Sequence, residues 1–111
     1  MNISFLSKQN KLYVKITGEL DHHSAVEIKE QVDSKVIGEG VSVLVFDLSG
    51  LVFMDSSGIG VIIGRYKLMQ SLGGQMHIIS SNKSVDKLLK LSGICDIIKV
   101  SSNADEIEKL A

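Results

Sequence analysis

The chain has 111 residues, of which 44% are hydrophobic, and a formal charge of -1 from 12 basic and 13 acidic side chains. This length and apolar share predict one folded domain spanning residues 1–111 and exclude a disordered chain. The balanced charge produces no broad electrostatic field, so neither nucleic acid nor an anionic membrane is an expected partner.

The single cysteine, Cys95, cannot form a disulfide within the chain, and we expect it to be a small buried residue. No segment has the roughly 20 apolar residues of a membrane-spanning helix. The amino terminus also lacks the layout of a secretory signal. These features predict a soluble cytoplasmic protein.

The first elements in chain order are two strands and a helix. Residues 3–7 and 12–18 are predicted strands, the second with alternating apolar and polar side chains, and the short connection between them predicts an antiparallel hairpin. Apolar residues then recur every three or four positions, as in an amphipathic helix of about four turns. Asp21 or Ser24 is the expected cap of this helix, with Ser24 and Glu27 spaced as a capping box.

The remainder of the chain continues the alternation of strand and helix. The apolar, β-branched run 41–48 predicts a central parallel strand. The elements predicted after it are a helix ending near residue 72, a strand at 75–80, a short helix at 85–89, a strand at 96–100 and a terminal helix at 103–110.

This order predicts an α/β fold with a mixed, mostly parallel sheet of about five strands and about four helices, the amino-terminal hairpin lying at its edge. In such a sheet the carboxyl ends of the parallel strands lie together. The turns at 18–21, 55–58 and 80–84 are therefore expected at one end of the sheet, where binding sites are favoured.

The segment Phe53–Gly60, FMDSSGIG, lies at this end and has several possible functions. A nucleophile elbow needs a glycine two residues before the serine, but Met54 and Asp55 occupy the two possible positions. A hydrolase is therefore disfavoured.

A phosphate-binding loop is a weak alternative. Gly58, Gly60 and Gly64 have a spacing one residue longer than the dinucleotide fingerprint, and Asp55 repels a phosphate at the helix start. The adjacent histidines His22 and His23 point about 100° apart on a helix, and no set of ligands completes a metal site. We expect neither a metal nor a bound cofactor.

A third interpretation is that Ser56 and Ser57 cap the following helix. The expected core side of that helix carries Ile59, Ile62, Ile63, Tyr66 and Met69. Val61 and Leu68 fall on the opposite side, near Gly64 and Arg65, and are typical of an interaction patch. The alternative, that this second side packs under the neighbouring helix, stays open.

Three segments carry a family resemblance: GELDHHSA at 18–25, VLVFDLSGLVFMDSSGIGVIIGRYK at 43–67 and GGQMHII at 73–79. In this order they resemble the STAS domain of bacterial anti-sigma factor antagonists, above all its sporulation branch. The D-S-S-G-I-G sequence matches the family signature. The one departure in it is Ile59, where leucine is common, and this exchange conserves volume.

The resemblance implies a regulatory binding protein that is not an enzyme. Its unphosphorylated form binds an anti-sigma factor that is also a serine kinase, and so frees a sigma factor. The kinase phosphorylates Ser57, a PP2C-type phosphoserine phosphatase reverses this, and ATP belongs to the kinase. A role in another partner-switching pathway, such as the general stress response, is the alternative. The candidate partner contacts are Asp21, Asp55, Ser56, Gly58, Gly60, Val61, Gly64, Arg65 and Leu68.

Overall fold

The computed structural model describes residues 1–105, which form a five-stranded sheet in the order β1-β2-β3-β4-β5. The strands are β1 (Asn2–Lys8), β2 (Lys11–Leu20), β3 (Val43–Met54), β4 (Gln75–Ile79) and β5 (Lys99–Ser101). The helices are α1 (His22–Glu39), α2 (Ser56–Ser71) and α3 (Lys83–Leu91). Only β1 runs antiparallel, paired with β2 as a hairpin. The predicted α/β fold and edge hairpin are confirmed.

The carboxyl-terminal part differs from the prediction in detail. Three α-helices are described where about four are expected, and most of the predicted helix at 103–110 lies outside the described residues. The chain at Ile94–Asp96 is a short 3-10 helix, so β5 begins at Lys99. Cys95 lies in that turn and is exposed, so the prediction of a buried cysteine is wrong.

One hydrophobic core joins the helices to the sheet. Buried side chains of all three helices form a single cluster with alternate residues of β2, β3 and β4. The largest fully buried side chain, Phe46, lies in β3. A second, small cluster around Val45 and Ile79 lies on the other face of the sheet. The apolar run of β3 therefore reflects burial on both faces, as predicted for a central parallel strand.

A capping box begins α1. The Asp21 carboxylate accepts hydrogen bonds from the backbone amides of His23 and Ser24 at 3.0 and 3.1 Å, and the Ser24 hydroxyl accepts one from the Asp21 amide at 3.0 Å. The hydrogen bond from the Ser24 amide is the main reason that the pKa of Asp21 lies below its ordinary value. Asp21 is confirmed as the cap, but the box pairs it with Ser24, so the predicted Ser24–Glu27 box is wrong.

His77 makes the stability of the fold depend on pH. It lies in β4, where burial, and secondarily Lys11 and Lys99, hold its pKa below the ordinary value of 6.5. Between the two pKa values the unfolded chain binds more protons than the folded chain. We therefore expect the free energy of unfolding to fall as the pH is lowered from 7 through about 6.5 and below.

Urea unfolding at pH 7.5 and pH 5.5 measures this effect, with His77→Gln as the test variant and His22→Gln as the control, since His22 is exposed. His77→Gln should lose less stability on acidification than the wild type, whereas the control should behave like the wild type. An equal loss of unfolding free energy on acidification in all three proteins would contradict the assignment to His77.

Candidate functional site

Two helix amino termini lie side by side at the carboxyl edge of the sheet. Leu20 at the end of β2 pairs with Met54 at the end of β3, and the Asp55 amide donates a hydrogen bond to the Leu20 carbonyl at 3.3 Å. Asp21 and Asp55, which follow these strands, cap α1 and α2. The turn after the parallel strand β4 opens on the same edge. The predicted meeting of the three turns is therefore confirmed.

The start of α2 defines the positions of the two serines. The Asp55 carboxylate accepts a hydrogen bond from the Ser57 amide at 2.8 Å, which makes Asp55 the cap. Ser56 and Ser57 are thus the first and second residues of the helix, and the interpretation of these serines as caps is wrong. Ser56 is exposed and Ser57 is half-buried. No described residue hydrogen-bonds the Ser57 hydroxyl, which leaves it available for chemistry.

Gly58 allows α2 to lie close to the ends of the strands. A Cβ atom at this position would lie 2.4 Å from Met54 Cγ and 3.0 Å from Leu20 Cγ, well inside van der Waals contact. Gly58 is buried, so it is part of the packing that fixes Ser57 and not a surface for a partner.

A groove of about 330 Å³ runs between α1 and α2, beginning at Ser57. Gly60 and Gly64 lie one turn apart on α2, and a Cβ atom on either would meet nothing within 4 Å. The groove is open because these two positions have no side chains. The residues that line it are Ala25, Val26 and Lys29 of α1 and Ser57, Gly60, Val61, Gly64 and Arg65 of α2. This set defines the interhelical groove.

The prediction of an outward-facing interaction patch on α2 is wrong. Val61 is only 6% exposed and belongs to the hydrophobic core, although its surface edge lines the interhelical groove. Leu68 is half-buried, packs against the core and does not line the groove. The physical reason is that α2 contacts the sheet with one side and α1 with another. The alternative in which this second side packs under a neighbouring helix is the correct one.

Arg65 holds α1 and α2 together at the far end of the interhelical groove. Its side chain is 7% exposed, its Nε lies 2.7 Å from Asp33 Oδ1 on α1, and its Nη1 donates to the Val61 carbonyl at 3.3 Å. The prediction that Arg65 faces outward is therefore wrong. Its guanidinium is already paired, so its role in the groove is structural.

We expect Asp33→Ala to destabilise the fold, because it leaves the Arg65 charge buried without its partner. Breaking a buried ion pair costs about 3–5 kcal/mol, and the 27% exposure of the Asp33 side chain places this case at or below the lower end. Urea unfolding measures the loss, and Glu30→Ala, an exposed carboxylate on the same helix, is the matched control. Asp33→Ala combined with Arg65→Met should recover most of the stability; a double variant as unstable as the single would contradict the ion-pair account.

The side of the site formed by α1 was not predicted from the sequence. Ala25, Val26 and Lys29 line the interhelical groove, and Val26 is 57% exposed. Val52 and Phe53, just before Asp55, are 70% and 46% exposed. The spacing of Ala25 and Lys29, one helical turn apart, was the only available signal for a shared helix face. Sequence pattern alone does not indicate that α2 lies against that face.

In residues 1–105 no three His, Cys, Asp or Glu side chains lie together in a way that holds a metal ion. No helix within the same residues has the length and apolar character needed to cross a membrane.

Comparison with known proteins identifies the family. The profile of the STAS domain matches residues 2–107. The anti-sigma F factor antagonist of Paenibacillus polymyxa is 41% identical over 92 residues, covering 83% of this chain and 79% of that protein. This chain belongs to the STAS-domain family of anti-sigma factor antagonists.

Another branch of the STAS family is also similar. The anti-sigma-B factor antagonist of Bacillus subtilis is 28% identical over 106 residues, covering 95% of this chain and 94% of that protein. Among solved structures, the STAS fold is shared with the unphosphorylated and phosphorylated forms of the Bacillus protein SpoIIAA. Their TM-scores are 0.79 and 0.78 at 20% and 21% identity, and they cover 98% and 99% of this chain and 97% and 100% of the SpoIIAA chains.

Proposed function

We propose that this STAS protein is a phosphorylation-controlled antagonist of an anti-sigma factor. In its unphosphorylated form it binds an anti-sigma factor that is also a serine kinase, which releases the sigma factor held by that kinase. The kinase then phosphorylates Ser57 with its own ATP, and a PP2C-type phosphoserine phosphatase restores the active form. The protein itself needs no cofactor and performs no catalysis.

The observation that carries this proposal is the position of Ser57. It is the second residue of α2, its hydroxyl has no hydrogen-bond partner among residues 1–105, and it lines one end of the interhelical groove. Ser56 is more exposed but does not line the groove. The solved phosphorylated form of SpoIIAA supports a phosphorylated state in this family.

A phosphate on Ser57 is compatible with the fold and unfavourable for a complex. It adds about -1.5 to -2 charges and three acceptor oxygens. At the second position of a helix this charge is stabilised by the helix dipole, so no unfolding is expected. The adjacent caps Asp21 and Asp55 already carry carboxylates, and a dianion beside them resists desolvation by a partner. The switch is therefore local.

We assign partner binding to the interhelical groove. Gly60 and Gly64 allow close approach of a partner, while Val26 in the lining offers exposed apolar surface. Such a surface buries apolar area around the modified serine, so modification and binding compete for the same place. Neither nucleic acid nor a membrane is part of this proposal.

The test is incubation with candidate serine kinases of the same genome and ATP, followed by intact-mass analysis and peptide mapping. A gain of one phosphate on Ser57 is expected, and absence of modification by every kinase that binds the protein would overturn the proposal.

A second candidate function is control of a general stress sigma factor through the same switch. The similarity to the anti-sigma-B factor antagonist of Bacillus subtilis favours it. Capture of the bound kinase, and then of the sigma factor which that kinase holds, separates this pathway from sporulation, the pathway that the sequence resemblance favours. A sporulation-type sigma factor supports sporulation control, and a stress-type sigma factor supports control of the stress response.

A further inference from the structure

Lys29 is the one lysine that lines the interhelical groove, and the proposed phosphorylation of Ser57 does not by itself require it. It lies on α1, is exposed, and shares the groove with Ser57. The other cation of the groove, Arg65, is already paired with Asp33. No carboxylate among residues 1–105 forms an ion pair with Lys29. The Lys29 ammonium is therefore the free positive charge of the groove.

The contact between Asp33 and Arg65 gives one measure of the relative height of the two helices. Lys29 precedes Asp33 by one turn, or about 6 Å along α1, and Ser57 precedes Arg65 by about 12 Å along α2. Both helices pack on the same face of the sheet, and each connects two parallel strands. They therefore run in the same direction. Counted from this contact, the Cα of Lys29 lies about 6 Å beyond Ser57 along the groove, and counted from the adjacent caps Asp21 and Asp55 it lies about 9 Å beyond.

The side chain of Lys29 covers most of this distance. Side chains on a helix tilt toward its amino terminus, which for α1 is the direction of the Ser57 end. A lysine side chain spans about 6 Å, and a phosphate on Ser57 extends further into the groove than the hydroxyl does, so the ammonium and the phosphate approach each other inside the groove. The groove wall between them is Gly60, whose missing side chain leaves the path open.

The charges around Ser57 make this direction favourable for a phosphate. On the sheet edge the carboxylates of Asp21 and Asp55 cap the two helices and repel a dianion. His22 and His23 in the first turn of α1 are exposed, and His23 lies near the Asp21 carboxylate. A phosphate on Ser57 is therefore repelled from the sheet edge and attracted into the interhelical groove.

We propose that Lys29 is the counter-ion of phosphorylated Ser57 and holds the phosphate inside the interhelical groove. This inference rests on the proposed phosphorylation of Ser57 and specifies how it acts. The phosphate then occupies the space that a partner needs, so inactivation comes from filling the groove as well as from repulsion. Lys29 is a positioning residue and takes no part in phosphoryl transfer.

The experiment uses protein with phosphoserine inserted at position 57 during translation, so that it does not depend on any kinase. Phosphorus NMR gives the second pKa of the phosphoserine, which is about 6 when no charge is near. Lys29→Met should raise that pKa by about 0.5 relative to the phosphorylated wild type, about a threefold change in the proton dissociation constant. Lys29→Arg should leave it low. Lys67→Met, which removes an exposed lysine of α2 outside the groove, should have no effect.

A second measurement, of backbone amide chemical shifts, reports whether the phosphate lies in the interhelical groove. The backbone amide resonances of Gly60 and Gly64 should shift on phosphorylation in the wild type and in Lys67→Met, and much less in Lys29→Met. An unchanged phosphoserine pKa in Lys29→Met, or an equal rise in Lys67→Met, would overturn the inference. Because the phosphate is inserted without a kinase, either result leaves the proposed kinase switch to its own test. If no kinase modifies Ser57, that switch fails while these spectra still report on Lys29.

Discussion

Replacing Ser57 with alanine is expected to abolish phosphorylation by the cognate kinase while leaving the fold intact. The bond that caps α2 runs from the Ser57 backbone amide to Asp55, so it survives removal of the hydroxyl. Intact-mass analysis after incubation with kinase and ATP measures the outcome. Ser56→Ala is the matched control and should accept one phosphate at the wild-type rate. Modification of Ser57→Ala at that rate would contradict the assignment.

A negatively charged residue at position 57 is expected to weaken binding of the kinase. Ser57→Asp places a carboxylate at the second position of α2, where the helix dipole tolerates it. We expect an unchanged or slightly higher melting temperature, together with a loss of kinase affinity. A loss of about 3 kcal/mol corresponds to more than a hundredfold in Kd, which calorimetry measures. Ser56→Asp should weaken binding much less, since Ser56 does not line the interhelical groove. Equal affinity of Ser57→Asp and wild type would contradict the local mechanism.

The order of the strands and helices could be predicted from the sequence, because each has its own hydrophobic period and capping residues. The exact ends of the elements were harder to predict. β3 was predicted at 41–48 and continues to Met54, because Leu51 to Met54 pair with Gly18 to Leu20 across two irregularities in the register of β2. Ser49 and Gly50 interrupt the apolar run, and only the partner strand reveals that pairing continues. This extension brings Asp55 beside Asp21.

The position of the candidate site at the edge of the sheet could be predicted from the sequence, but the packing of α1 against α2 that shapes it could not. A parallel sheet dictates that Asp21 and Asp55 meet at one edge, and the signature singles out Ser57. The side of α2 that carries Val61 looked exposed, because a helical wheel contains no information about the neighbouring helix. α1 covers Val61, and Asp33 pairs with Arg65, a contact between residues 32 positions apart. Long-range packing of this kind leaves no periodic signal in either segment.

The glycines of α2 are expected to affect stability and partner binding in opposite directions. We expect the double variant Gly60→Ala/Gly64→Ala to be more stable than the wild type and to bind its partner at least tenfold more weakly. A glycine inside a helix costs about 1 kcal/mol relative to alanine, and the added Cβ atoms meet nothing within 4 Å. The melting temperature should rise by several degrees, about 4–8 °C for each kcal/mol. The same methyl groups fill the interhelical groove and block close approach of a partner.

Two other glycines separate these effects. Gly38 lies inside α1, away from the groove, and its Cβ would also meet nothing within 4 Å, so Gly38→Ala should stabilise the fold and leave binding unchanged. Gly58→Ala should lower stability, because its Cβ overlaps Met54 and overpacking costs about 1–3 kcal/mol. Calorimetric unfolding and binding titrations on the same samples give both quantities. If the double variant gains stability and keeps full affinity, the partner does not enter the groove. Stability and binding would then be controlled by separate surfaces of α2.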